Sequence, residues 1–189
     1  MNSALQENSY KHIPVMPIEV IDYLNLQPDG IYLDGTIGAG GHATEILAQL
    51  SLEGKLIGLD RDAEALEICK SRFSASAHPI LTYKTSYDDF PKILSQLGIS
   101  KLNGIFLDLG LSSIQLESKT RGFSFNSPGK LDMRFDKDNF IDATDIISKS
   151  SEKELSDIIF HFGEERRSRK IARSIKSSEN LLTATDLKE

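Results

Sequence analysis

Hydrophobic positions in the first half of the chain fall into short runs separated by stretches with helical spacing. The runs are Ile31–Asp34 (IYLD), Lys55–Asp60 (KLIGLD), Pro79–Tyr83 and Gly104–Leu109 (GIFLDL), which read as buried strands. Pro17–Leu26 predicts a short amphipathic helix with Pro in its first turn, followed by a Pro28-Asp29-Gly30 turn. Ile46, Leu47 and Leu50 mark a second helix, Ala63–Phe73 a third and Phe90–Leu97 a fourth. Short apolar strands separated by helices predict βαβ units and a parallel sheet, an α/β fold class. Cys69 shares the third helix with Leu66 and reads as a small buried apolar side chain.

The pattern changes after Leu111. Residues 112–140, rich in Ser, Gly, Asp and Phe, hold no sustained period and read as a structured loop. Ser151 and Glu154 then form a capping box, Leu155, Ile158, Ile159 and Phe162 one apolar stripe, and Gly163 a stop. Glu164 to about Lys176 predicts a basic amphipathic helix. Thr185–Glu189 looks like an N-cap and first turn, where the sequence stops. A single turn is unstable by itself, so the expectation is a fragment of a longer protein.

The length of 189 residues suits one domain with an appended subdomain, and 39% hydrophobic with 26% charged residues argues against disorder. A single Cys excludes an intrachain disulfide and a Cys-based zinc site, and no metal ligand is expected among the site residues. No run approaches the ~18 apolar residues of a membrane span. The N-terminus lacks a basic-then-apolar signal pattern, so the expected location is cytoplasmic, with no membrane partner. Oligomeric state is not specified by any of these features. The net charge of −6 belongs to residues 1–110, with 8 basic against 14 acidic side chains, whereas residues 111–189 hold 14 of each. In the second part Arg166, Arg167, Arg169, Lys170, Arg173 and Lys176 form a run with no acid among them, either an RNA contact or a solvated helix face. The absence of interleaved acids favours RNA.

Asp34-Gly35-Thr36-Ile37-Gly38-Ala39-Gly40-Gly41-His42 lies between a strand and a helix. Gly38-x-Gly40-x-x-Ala43 fits a dinucleotide fingerprint, and Asp60 ends the next strand where such folds bind a ribose. Asp34 selects among nucleoside cofactors. A carboxylate beside the loop repels a pyrophosphate but suits the ammonium and sulfonium of S-adenosyl-L-methionine. An NAD-dependent oxidoreductase is therefore the disfavoured alternative, and a non-enzymatic RNA-binding module the other.

KHIPVMPIEV (11–20), DGTIGAGGH (34–42), GLDRD (58–62), LDLGLSS (107–113), RGFSF (121–125), LDMRFD (131–136) and GEER (163–166) occur together in this order. In this the chain resembles the ribosomal RNA small subunit methyltransferase H (MraW) family from about Lys11 onward. The resemblance implies a class I (Rossmann-like) S-adenosylmethionine-dependent methyltransferase fold with an incomplete sheet and part of an inserted helical subdomain. Residues 1–113 would be the N-terminal part of the methyltransferase domain, and residues 114–189 the start of the insertion, a candidate RNA-recognition subdomain. It also implies methylation of the exocyclic amino nitrogen of a cytidine, at N4, in 16S rRNA of the small ribosomal subunit. The implied cofactor residues are Gly40, Gly41, His42, Asp60 on the ribose, Tyr87 near the adenine (often Phe in the family), Asp108 and Gln115; Asp34 and Gly38 join them from the loop itself. His42 reads equally as a helix cap, and Tyr87 as a strand-end aromatic.

Asp108 is the candidate catalytic acceptor, or else only a cofactor contact. The cytosine amine is a weak nucleophile, and the chain lacks the Pro-Pro-aromatic sequence that many amino-methylating enzymes place here. Catalysis then needs a hydrogen-bond acceptor and in-line geometry. A flipped base wants an aromatic partner, and Phe123, Phe125 and Met133, with Arg121 and Arg134 as phosphate anchors, form either that platform or a packed loop. If family strands are missing, Ile105, Phe106 and Leu107 lie on an exposed edge. Poor solubility or oligomerisation, and no methyl transfer by the isolated chain, are then expected.

Overall fold

The computed structural model describes residues 14–78, 80–178 and 183–188. Lys11–Ile13 of the first family segment, Pro79 of the third expected strand and the terminal Glu189 lie outside them. Two compact units divide the chain, Met1–Leu109 and Gly110–Glu189.

In the first unit, α1 (Pro17–Leu24) is followed by β1 (Ile31–Asp34), α2 (Gly41–Leu47), β2 (Lys55–Asp60), α3 (Ala63–Arg72), β3 (Ile80–Lys84), a 3₁₀ turn (Tyr87–Asp89), α4 (Phe90–Gln96) and β4 (Gly104–Phe106). The strands are all parallel in the order β3-β2-β1-β4. This is the first part of the doubly wound Rossmann order, with its switch point between β1 and β4. The period of two assigns the strand side chains to opposite faces. Tyr32 and Leu56, paired in register, join Ala43, Ile46 and Leu47 of α2 and Leu66 and Cys69 of α3 in one core, with Ile21 and Leu24 of α1 against it. Leu33 and Ile57, the next pair, join Leu59 and Ile93 of α4 in the other. Cys69 is fully buried, and burial pushes its thiol up to about 11, well away from thiolate chemistry.

β4 is shorter than the apolar run. It pairs with β1 only through Phe106, after which Asp108 turns its N–H to the Thr36 hydroxyl (2.7 Å) instead of continuing a ladder. As the sheet edge, β4 and the segment after it leave Ile105 47% and Leu107 41% exposed.

The second unit contains α5 (Ser113–Glu117), α6 (Ala143–Lys149), α7 (Glu152–Gly163), α8 (Ser168–Ser177) and α9 (Ala184–Lys188). Two of these helices are absent from the periodicity reading. α5 and α6 are too short to show a repeat, but each has a reciprocal capping box, Ser112 with Gln115 and Asp142 with Asp145. α7 begins at the expected Ser151–Glu154 box. Its expected stripe is only partly buried. Leu155 and Ser156 are inside, while Phe162 is 88% exposed. The reason lies in its partner helix: α7 meets α8 through small residues, with the Ser156 and Ser168 hydroxyls 3.2 Å apart and Ala172 fully buried. That packing brings the helices together at one end of the stripe and leaves the rest outside. Among the described residues no helix is long and apolar enough to cross a membrane.

Candidate functional site

The carboxyl ends of β1, β2 and β4 each deliver an aspartate, and parallel pairing places those ends side by side. Asp34 ends β1 almost fully buried, at 1% exposure, with its Oδ1 accepting the Thr36 N–H (3.0 Å) and Thr36 hydroxyl (3.5 Å). Burial pushes its carboxyl up to about 7. The Thr36 N–H opposes that rise, and the Asp60 and Asp108 charges add to it.

Asp60 ends β2 and clamps two backbone segments. Its Oδ2 accepts the Gly38 N–H (2.8 Å) and its Oδ1 the Asp62 N–H (2.9 Å). Burial also holds this carboxyl above the ordinary aspartate range, against those two hydrogen bonds. The glycine loop is thus tied to β2, which the Ile37 N–H reinforces by donating to the Leu59 carbonyl (2.9 Å). Gly38 and Gly40 take φ of 52° and 81°, left-handed values that L side chains rarely adopt. At Gly40 a Cβ would also stand 2.6 Å from the Phe73 ring. Gly41 begins α2, and His42 follows it.

His42 is buried against the Phe106 ring, centroids 4.6 Å apart. Its Nε2–H donates to the Val15 carbonyl (2.8 Å), and its Nδ1 lies 4.0 Å from Asp108 Oδ2. The Asp108 side chain is 42% exposed, so one side of its carboxylate faces His42 while the group stays open to solvent. Tyr87, half exposed in the 3₁₀ turn, packs its Cβ so near Gly35 that a side chain there would meet it at 2.9 Å. The structure therefore gathers Asp34, Gly38, Gly40, Gly41, His42, Asp60, Tyr87 and Asp108 within the first unit.

Two participants were not singled out from the sequence. Thr36 links Asp34 to Asp108 through one hydroxyl, and its position two residues after a carboxylate is the signal for such a local turn. Val15 acts through its backbone across 27 residues, which no local pattern reveals.

The remaining candidates belong to the second unit. Gln115 is buried, and its side chain accepts the Ser112 N–H (3.1 Å) in the α5 capping box. One expected phosphate anchor is corrected by the structure. Arg121 is buried and donates to the Arg134 and Phe135 carbonyls (2.7 and 3.0 Å). Arg134 grips Asp132 with Nε and a terminal nitrogen (2.8 and 2.7 Å) and also donates to the Lys137 and Asn139 carbonyls. Both guanidinium groups brace the loop, Arg121 as a buried cation that must be matched by acceptors nearby and Arg134 from a partly exposed position. Phe123 packs edge-on against Phe135, whereas Phe125 and Met133 are exposed. On α8 and the turn before it, Arg166, Arg167 and Lys170 are exposed. Further along α8, Arg173 pairs with Glu152 (3.3 Å) and Lys176 donates to the Ile147 and Ser148 carbonyls.

Comparison with known proteins gives this geometry a family. The ribosomal RNA small subunit methyltransferase H of Thermosipho africanus is 48% identical over 179 residues, covering 95% of this chain and 61% of that protein. The protein of the same name from Dictyoglomus thermophilum is 45% identical over 172 residues, covering 90% and 58%. The chain thus spans about three fifths of the length of these curated relatives. Among solved structures, a SAM-dependent O-methyltransferase from Thermotoga maritima aligns with 49% of this chain and 34% of its own at 13% identity and a TM-score of 0.40. The MraW methylase family matches residues 9–189, with the aspartate-ended strands and glycine loop inside the matched region, and the chain belongs to that family.

Proposed function

We propose that this chain is the cofactor-binding part of an S-adenosyl-L-methionine-dependent methyltransferase acting on N4 of a cytidine in 16S rRNA of the small ribosomal subunit, in the cytoplasm. The observation that carries the reading is the convergence of Asp34, Asp60 and Asp108 at the switch-point end of the sheet. Burial raises the proton affinity of Asp34, the Asp60 and Asp108 charges add to that rise, and a cationic ligand relieves the repulsion where a pyrophosphate would increase it. Family membership, and relatives whose names state small-subunit rRNA methylation, support the same reading.

Asp60 would hold the ribose hydroxyls. Each of its oxygens accepts one loop N–H, and a carboxylate oxygen has a second acceptor site. Tyr87 would lie along the adenine and Gly38–His42 beneath the amino acid part. When bound, the cofactor supplies a methyl group on a cationic sulfur. Asp108, open on one side, would accept a hydrogen bond from the target amine and align its lone pair. In the second unit, Phe125 and Met133 would meet RNA bases, and Arg166, Arg167 and Lys170 would meet phosphates.

Titration calorimetry with S-adenosylhomocysteine and with NAD tests the cofactor, with binding expected only for the first. Asp60→Ala should weaken S-adenosylhomocysteine by about 1.5–3 kcal/mol, the scale of hydrogen bonds to a charged group. Transfer of a labelled methyl group to unmodified small subunits by the full chain tests the reaction. Binding of NAD in preference would reject the reading.

A further inference from the structure

The His42–Asp108 pair has an unusual proton count. A carbonyl oxygen only accepts, so the 2.8 Å contact with Val15 requires the proton of the neutral ring to sit on Nε2. Nδ1 then presents a lone pair to Asp108 Oδ2 at 4.0 Å. Two acceptors face each other with no proton between them. A single added proton converts that juxtaposition into a hydrogen bond, whichever of the two groups holds it. The surroundings fix the arrangement. Phe106 packs against the ring, and Thr36 holds the Asp108 backbone through its hydroxyl at 2.7 Å.

We propose that His42 is the proton partner of Asp108 in methyl transfer, the pair taking up the one proton that the target amine loses. The inference rests on the methyltransferase reading above. Methylation of a primary amine forms one N–C bond, leaves the electron pair of the broken S–C bond on sulfur, and releases one N–H proton. The proton passes to Asp108 Oδ, the group that meets the amine. Its O–H then donates to Nδ1, or the proton moves fully onto the ring, which becomes an imidazolium donating to both Val15 and Asp108. His42 acts through Asp108 and is a positioning residue, not a catalytic one. Hydrogen bonds of this kind are often long before substrate binds and shorten in the reacting complex.

Several charges bear on the pair. Asp108 comes from the end of β4, with Asp34 from β1 and Asp60 from β2 beyond it, while the segment before α1 contributes the Val15 carbonyl. His42→Gln retains a donor toward Val15 but no titratable nitrogen toward Asp108, and leaves Asp34 and Asp60 in place.

The full chain is assayed under single turnover with unmodified small subunits between pH 5 and 9. The unaltered protein should lose rate as pH falls through the ascending limb of the pair. In His42→Gln the plateau should drop about a hundredfold, the lower end of general-base assistance, and the limb should move to lower pH as Asp108 loses its ring partner. S-adenosylhomocysteine affinity is measured in parallel, and the rates are compared at saturating cofactor. An unchanged rate and limb overturn the inference, and so does a loss of S-adenosylhomocysteine binding that accounts for the rate.

A second measurement needs no turnover. Ring-nitrogen NMR of the unaltered protein at pH 8 should show His42 protonated at Nε2 and bare at Nδ1, and Asp108→Asn, whose amide can donate to Nδ1, should shift the Nδ1 resonance. A proton on Nδ1, or an Nδ1 resonance indifferent to Asp108, rejects the pairing. Absence of both methyl transfer and S-adenosylhomocysteine binding by the unaltered protein would instead reject the methyltransferase reading itself.

Discussion

Thr36 shows how much of the site hangs on one hydroxyl. It accepts the Asp108 N–H and donates to Asp34, so Thr36→Val keeps the shape and removes both bonds. The expected cost is about 1–2 kcal/mol in denaturant unfolding, at ~0.5–1.5 kcal/mol per hydrogen bond, accompanied by weaker S-adenosylhomocysteine binding as Asp108 loses its anchor. Unaltered stability and affinity would show the hydroxyl to be idle. Asp34 carries a pH dependence of opposite sign to most carboxylates. Its folded pKa of about 7 lies above the ordinary 3.8, so the folded state holds the extra proton between those values. Its stabilising contribution is full below about pH 4 and fades as pH rises through 7. Asp34→Asn should therefore melt a few degrees above the unaltered chain at pH 8 and level with it at pH 4. A gap that fails to widen with pH would contradict the assignment.

Among the helices, what local chemistry announces and what a partner imposes can be separated at α7 and α8. The capping box at Ser151 and Glu154 is legible because both partners lie within one turn. The buried face was not legible, since it depends on Ser168 and Ala172 of α8 meeting Leu155 and Ser156. Ala172 has no room to grow, and Ala172→Leu should destabilise the second unit by about 1–3 kcal/mol, the range for overpacking, as followed by thermal or denaturant melts. The exposed cations at the start of α8 make a separate prediction. Reversing Arg166, Arg167 and Lys170 together should leave melting nearly unchanged. It should also reduce the slope of log RNA affinity against log salt by up to ~0.7–0.9 for each phosphate no longer neutralised. An unaltered slope would remove α8 from the RNA surface.

At the scale of the whole molecule, the edge strand β4 is the feature that bears on association. β4 has three residues, lies at the end of the sheet and, with the residues after it, exposes Ile105 and Leu107. An apolar edge is a template for pairing with another chain, and a lysine there is a common block. Sedimentation of the 189-residue chain should show concentration-dependent association that Ile105→Lys reduces. A monomeric unaltered chain at high concentration would show that the edge is inert.

The residues by themselves determined the alternation of strands and helices, the parallel α/β class, the glycine loop and the two aspartates that end β1 and β2. Each of these is written in local spacing, and the family resemblance rests on contiguous segments. Tertiary structure alone decided which distant groups meet and which face the surface. Val15 reaches His42 across 27 residues, Asp108 leaves the strand to meet Thr36, and Arg121 turns inward to carbonyls instead of outward to phosphates. The physical reason is common to all of them. A backbone carbonyl, a buried cation and a lone pair acquire partners only when the chain brings distant segments within about 3 Å, the range of a hydrogen bond.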